Sequence, residues 1–397
     1  MILRTQYLDK LRMFKEKQLI KVITGIRRSG KSTLLEQFQE ELINEGVSEK
    51  QIVYINFEDL KNEHLMNYKA MYNFISERLC DEKYTYVFLD EVQRVPDFQK
   101  AVDSLYIQKN IDLYITGSNS DLLSSELSTL LTGRYVEIKM LPLSFKEYVS
   151  AFPASAEKKE LFSSYLQNGS MPYVLNLPNE EAVNIYLDGI YHTIISNDIA
   201  RRHSQTDISV LESILRYLMH NIGSLVSSTN IANALTSNNR KPSYNTVEKY
   251  IGYLTESFLV YEAARYDIKG KQHLKSLAKY YVIDSGIRNM LLSNSASDIG
   301  HVLENVIYFE LLRRGFKVSI GKIDDREVDF VATNSDTVEY YQVSATVLDE
   351  NKLRTELGPL ERIKDFYPKT LITLDDYNLG NHNGIKIVNA IDFLLAK

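Results

Sequence analysis

The stretch LIKVITGIRRSGKSTLLEQFQEELINEG, residues 19–46, decides the fold. It opens with an apolar, β-branched run, stops at Gly25, and resumes with helical spacing that ends at Gly46, which reads as strand, loop and helix. Inside it, Gly25-Ile26-Arg27-Arg28-Ser29-Gly30-Lys31-Ser32 fills every fixed position of the pattern GxxxxGK[ST]. Glycines let successive backbone N–H groups curl around a polyphosphate. The helix that follows aims the positive end of its dipole at the same anion. The expected contacts run from Gly25 to Thr33, with the Lys31 ammonium on the β- and γ-phosphates and the Ser32 hydroxyl on Mg²⁺. ATP and Mg²⁺ are therefore the expected ligands.

Working outward, QIVYINF (51–57), YTYVFLDE (84–91), IDLYITGS (111–118) and RYVEIKML (134–141) read as further strands, separated for the most part by helical segments, notably 67–80 and 97–109. Alternating strands and helices predict a parallel α/β sheet with its ligand site at the strand C-terminal ends. VFLDE ends one strand in two acids, where Asp90 would hold Mg²⁺ and Glu91 would polarise a water in line with the γ-phosphate. The next strand ends at Thr116-Gly117-Ser118-Asn119, so Asn119 or Ser118 would sit beside Glu91 and orient the water or the phosphate; a helix cap is the competing reading. Arg134 begins the following strand and could project into a neighbour's site, while Arg27 and Arg28 are alternatives for phosphate or interface contacts.

Beyond LPLSFKEY the pattern changes. Residues 156 to 258 read as successive amphipathic helices, and 258–284 as two extended arms around a Lys-Gly-Lys tip. Helices followed by a basic hairpin suggest a winged helix-turn-helix. SNSASD (293–298) reads as a linker, after which the order is α–β–β–β–α–β. The expected domains are 1–155, 156–292 and 298–397.

GIRRSGKSTLL, VFLDEVQRV, ITGSNSDLL and TGRYVEIKMLPLSFKEY together resemble a widespread prokaryotic AAA+ ATPase family whose members carry a winged-helix region and a PD-(D/E)xK nuclease-like domain. KYYVIDSGIRN (279–289) and the GHVLEN, EVDFV and YYQVS segments resemble the C-terminal half of the same family, so the likeness covers nearly the whole chain. It implies a AAA+ (ASCE-type) P-loop NTPase sheet, then the winged-helix region, then a small α/β restriction-endonuclease-like domain. It also implies a homo-oligomer, expected as a hexameric ring with ATP at subunit interfaces, in which Arg134 is an arginine finger.

Two further residue sets follow. Arg265, Lys269, Lys271, Lys275 and Lys279 stand against one acid, Asp267, on the hairpin, and Arg240, Lys241, Ser243, Asn245 and Thr246 flank or begin the candidate recognition helix. These are the DNA-binding candidates, suited to backbone or structure recognition with weak sequence specificity. In the last block Glu304, Asp329 and Gln342 occupy the metal-ligand positions of a PD-(D/E)xK site, but Ser344 stands where the lysine belongs. A cutting nuclease is not expected unless Lys317, Lys322 or Lys352 substitutes.

The favoured function is thus a DNA-binding oligomeric ATPase that couples hydrolysis to remodelling or translocation. The alternatives are a nucleotide-controlled switch that recognises a protein partner, in regulation or defence, and an ATP-dependent nuclease. A net charge of −6 excludes a uniformly basic nucleic-acid coat. The lone Cys80 excludes an internal disulfide framework, and the seven histidines show no zinc-ligand spacing. No apolar run approaches the roughly 20 residues of a membrane span, and a cytoplasmic protein is expected.

Overall fold

Strands buried on both faces read as unbroken apolar runs, because side chains alternate between the two layers that cover the sheet. The computed structural model, which describes residues 2–118, 133–236, 242–292, 298–377 and 379–396, has this arrangement at its N-terminal end. β1 (Ile20–Thr24), β2 (Ile52–Asn56), β3 (Thr85–Asp90), β4 (Ile111–Gly117) and β5 (Tyr135–Lys139) form a sheet of order β2-β3-β4-β1-β5. All neighbouring pairs are parallel. Val22, Val87, Leu89 and Ile115 pack on one face with Met71 and Ile75 of α3 (Tyr68–Ser76) and Val102 and Leu105 of α4 (Phe98–Tyr106). Ile23, Tyr86, Phe88 and Tyr114 pack on the other with Leu8 and Leu11 of α1 (Thr5–Phe14) and Leu34, Leu35 and Phe38 of α2 (Lys31–Asn44).

One charged pair interrupts this core. Lys21 and Asp112 are both fully buried and form an ion pair across β1 and β4. The Lys21 ammonium also lies 5.1 Å from the centre of the Tyr114 ring, whose hydroxyl donates to Asp112 at 2.7 Å.

The chain divides into two compact units: residues 1–142 with 256–258, and residues 143–255 with 259–397. In the second unit, helices Lys158–Asn168, Glu180–Thr193, Ile208–His220, Ser228–Thr236 and Tyr244–Glu256 follow one another. The hairpin expected after them is present as β6 (Val260–Asp267) and β7 (Gln272–Val282).

That hairpin is not a free wing. β6 pairs in parallel with β8 (Lys317–Ile323) through Arg265–Asp267, which places the hairpin in one eight-stranded sheet with the C-terminal strands. The remaining members are β9 (Arg326–Thr333), β10 (Val338–Ser344), β11 (Lys369–Thr373), β12 (Gly380–His382) and β13 (Ile385–Asn389). The order is β12-β13-β11-β10-β9-β8-β6-β7. The helices Ile299–Arg313 and Glu350–Arg362 carry the residues singled out around β9 and β10. Among the described residues no helix is long and apolar enough to cross a membrane.

Candidate active site

The loop after β1 is built by backbone constraint. Gly25 has φ of 149°, and a Cβ placed there would lie 2.1 Å from the Met140 carbonyl oxygen, so only glycine lets β1 leave the sheet beside the end of β5. Gly30, at φ of 98°, is the N-cap of α2 and offers its first-turn amides no side chain. The first-turn amides of a helix have no intrahelical acceptors and can bind an anion. Ser29 is fully buried and its hydroxyl has no hydrogen-bond partner among the described residues, an orphaned donor inside the loop. These features fit a polyphosphate.

Lys31 is 5% exposed, and its ammonium donates to the Gly25 and Ile26 carbonyls at 3.0 and 3.3 Å. It also lies 3.6 Å from the Glu91 carboxylate. The parallel sheet brings them together, since the loop leaves the C-terminal end of β1 while the paired acids end β3, with β4 between. Glu91 accepts from Ser118 at 2.7 Å and from Gln93 at 2.5 Å. Burial would push its carboxyl up, but Lys31, Ser118, Gln93 and Arg27 outweigh burial and hold it below the ordinary glutamate value. It is therefore an anion aimed at the loop.

Asp90 is completely buried and accepts from three side chains: Thr116 at 2.5 Å, Tyr54 at 3.1 Å and Asn56 at 3.2 Å. Ser32 and Thr33 stand on the first turn of α2, both half-buried. Ser32 and Asp90 are the candidates for Mg²⁺ at this end of the sheet; with three donors already on its carboxylate, Asp90 would hold the ion through water. Arg27 is half-buried, 3.8 Å from Glu58, and Arg28 is exposed with φ of 65°.

Of the two candidates after β4, Ser118 reaches Glu91, and Asn119 lies outside the described residues. Arg134 is at the opposite end of the sheet from the loop, because β5 runs parallel to β1 with Tyr135 beside Ile20 and Lys139 beside Thr24. It pairs with Asp103 and lies over the Tyr106 ring, so it takes no part in the site of its own subunit.

The sequence and the fold have counterparts in known proteins. Residues 17–149 match a family described as an AAA domain, and residues 159–298 match a domain of unknown function (DUF8612). An uncharacterized protein of Haemophilus influenzae is 40% identical, the match covering 100% of this chain and 99% of that protein. A second, from Methanocaldococcus jannaschii, is 32% identical over 91% of this chain and 81% of its own length. This chain belongs to one family with these two proteins, and its residues 17–149 carry the AAA domain. A solved Walker-type ATPase of Pyrococcus abyssi has a related fold, with a TM-score of 0.51 at 15% identity, covering 74% of this chain and 96% of that one.

In this AAA-domain protein the second unit corrects the reading of the basic hairpin. Lys279 is 2% exposed and bonded to acids, so it is no part of a basic surface. Lys269 pairs with Asp324 at 2.6 Å, and Asp267 accepts the Lys269 and Gly270 amides to close the turn. Arg265 is half-buried, and Lys271 is exposed at the tip. Asn245 is exposed on the first turn of the helix Tyr244–Glu256, which Ser243 caps through Thr246 at 3.1 Å. Arg240 and Lys241 lie outside the described residues, as does the side chain of Lys275.

Glu304 and Asp329 both lie against Lys279, and the Gln342 carbonyl is turned to the Asp329 amide at 3.3 Å while its amide group donates to Glu356 at 3.0 Å. Among the described residues Lys317 and Lys322 pair with none of these acids, and Lys352 pairs with Glu356 at 2.6 Å. The residues missed from sequence are Tyr54, Asn56, Gln93 and Arg4 in the first unit, and Glu327 and Glu356 in the second. Asn56 could have been found, because it ends a strand at the sheet's ligand-bearing edge. Arg4 could not: its guanidinium donates to the Ser29 and Leu141 carbonyls at 3.0 and 2.7 Å from a position remote in sequence.

Proposed function

We propose that this protein hydrolyses ATP to ADP and phosphate, with Lys31 holding the β- and γ-phosphates and Glu91 taking the proton of the attacking water. The observation that carries the reading is the pairing of Lys31 with an ionised Glu91, 3.6 Å apart at the mouth of the glycine loop. Hydrolysis needs a base as well as a phosphate grip, and one sheet edge holds both. Ser32 and Asp90 would hold Mg²⁺, which when bound neutralises charge on the phosphate oxygens. Thr116, Tyr54 and Asn56 fix the Asp90 carboxylate, and Ser118 and Gln93 fix that of Glu91. Asn119 remains a water-orienting candidate, and Arg134 a finger acting across a homo-oligomeric, ring-like interface in the cytoplasm.

For the output we propose coupling to DNA, through Asn245, Lys271, Arg240 and Lys241, by recognition of the backbone or of structure. A second reading, a nucleotide-controlled switch whose C-terminal half recognises a protein, gains support from the internal engagement of Lys269 and Lys279. That engagement leaves a weaker phosphate-binding surface than the sequence suggests.

The test is steady-state ATP turnover with and without duplex, single-stranded and four-way-junction DNA, at two salt concentrations. Turnover abolished by Glu91→Gln and stimulated by one DNA form supports coupling. Turnover indifferent to all three, with no salt-dependent binding, leaves the switch. No magnesium-dependent turnover at all overturns the enzymatic reading.

A further inference from the structure

The acids that the nuclease likeness singles out are not arranged around an empty place. Lys279, from β7, inserts its buried ammonium among them, 2.9 Å from Glu304, 2.7 Å from Glu327 and 3.7 Å from Asp329. The Tyr281 hydroxyl donates to the same Glu304 oxygen at 2.6 Å, so that oxygen already has two donors. One Asp329 oxygen accepts the Val343 amide at 2.8 Å. Gln342, the third ligand position, has both ends of its amide engaged. Gly223 closes the other side, where a Cβ would lie 2.9 Å from the second Glu304 oxygen.

A divalent cation needs several oxygens directed at one point, each free to donate. Here the oxygens point at an ammonium and at backbone or hydroxyl donors. Among the described residues no group of three or more acids, histidines or cysteines is arranged to hold a metal ion. The donor set does not fit the magnesium ion that a PD-(D/E)xK site would take.

The cluster has a second property. β7 and β9 are not paired in the sheet order. Lys279 therefore joins, through side chains alone, the hairpin, the helix Ile299–Arg313 and β9, alongside the contact of the Tyr281 and Phe330 rings at 5.8 Å. Burial would lower the Lys279 value, but Glu304, Asp329 and Glu327 outweigh it and hold the amine well above the ordinary lysine range.

We propose that the Lys279 ammonium stands in for the metal of a nuclease-like acid cluster, closing it to divalent cations and fastening the hairpin β6–β7 to Glu304 and Asp329. This does not depend on the ATPase reading, since every residue in it belongs to the second unit. A buried acid cluster that loses its internal cation should be strongly destabilised.

The test uses the full chain without nucleotide. Mn²⁺ binding followed by electron paramagnetic resonance should be the same in the parent and in Asp329→Asn. Lys279→Met should lower the melting temperature by an amount on the order of 10 °C, and Glu304→Gln with Asp329→Asn in the same chain should restore most of it. If Lys279→Met alone does not fold, recovery of a folded chain by the two added neutralising changes supports the proposal equally, and failure to recover overturns the fastening role. An Asp329-dependent Mn²⁺ site in the parent overturns closure, and so does Asp329-dependent cleavage of DNA with Mn²⁺. A Lys279→Met chain as stable as the parent overturns the fastening.

Discussion

The Thr116 hydroxyl donates to the Asp90 carboxylate at 2.5 Å while accepting the Glu91 amide at 2.9 Å. One side chain from β4 thus sets Asp90, the last residue of β3, and Glu91, which follows it. Glu91 has a left-handed backbone with φ of 53°, a conformation that costs a non-glycine residue on the order of 1 kcal/mol and persists only where neighbours enforce it. Thr116→Val keeps the shape and removes the hydroxyl. Turnover should fall about 10- to 100-fold with nucleotide affinity nearly unchanged, because the lost bond positions the acids and does not touch the phosphates. Thr116→Ser should recover most of the rate. Comparison of kcat with the dissociation constant of a non-hydrolysable ATP analogue checks this, and a weakened affinity at unchanged kcat would contradict it.

Lys31→Ala and Glu91→Gln should separate grip from chemistry. The first removes the loop's ammonium and should abolish measurable nucleotide binding or turnover. The second keeps the Ser118 contact possible but loses the proton acceptor, at a cost of about 10² to 10⁴ in rate. ATP should then stay bound, and filter-retained, unhydrolysed nucleotide is the readout. Equal turnover in Glu91→Gln and the parent would remove the base assignment.

The Glu91 value is also testable through pH. Its carboxyl is held below 4.5 in the folded chain because Lys31, Ser118, Gln93 and Arg27 outweigh burial. A depressed folded value means that the stabilisation is present above the unfolded value and is lost as pH falls through the folded one. Activity should therefore show no acid limb from Glu91 near neutrality. Ser118→Ala removes one favourable donor, so the acid limb of kcat/KM, which reports the free enzyme, should move to higher pH. A limb that stays in place or moves down would show that Ser118 does not tune the base.

The glycine loop was legible because each of its positions answers to local chemistry, and the three central strands β1, β3 and β4 because burial on both faces leaves an apolar run. Residues whose roles depend on register were not. Lys279 and Lys271 stand in one basic stretch, yet the hairpin tip exposes Lys271 while β7 buries Lys279 among acids supplied by a helix and a strand farther along the chain. The hairpin itself was readable; its pairing with β8 was not, because nothing in residues 265–267 announces a parallel neighbour beginning near 317. Tyr54 was missed for a related reason, since its partner Asp90 is supplied by the adjacent strand.

Lys21 and Asp112 look like ordinary surface charges in sequence, but both are completely buried. Asp112→Asn leaves the ammonium in the core without its anion and should cost about 3–5 kcal/mol. Burial already lowers the Lys21 value against the pull of Asp112, so losing the acid lowers it further. The variant's penalty should be largest at low pH and shrink as pH rises and the lysine sheds its proton. Denaturant unfolding at several pH values measures it. A variant as stable as the parent at every pH would mean that the pair contributes nothing net to the fold.

Arg134 poses the sharpest choice, because its own subunit gives it a structural partner, Asp103, and no access to the loop. If it acts only as that ion pair, Arg134→Ala should leave kcat unchanged, since a partly exposed pair contributes about 0–1 kcal/mol to stability. If it serves a neighbouring subunit, Arg134→Ala should lower kcat about 10³-fold or more while sparing ATP binding. Mixing then discriminates further. Arg134→Ala subunits keep Glu91, and Glu91→Gln subunits keep Arg134, so a mixed assembly contains interfaces where both intact residues meet. Turnover regained on mixing two inactive variants requires action across the interface; no recovery, with mixed assembly verified, would exclude it.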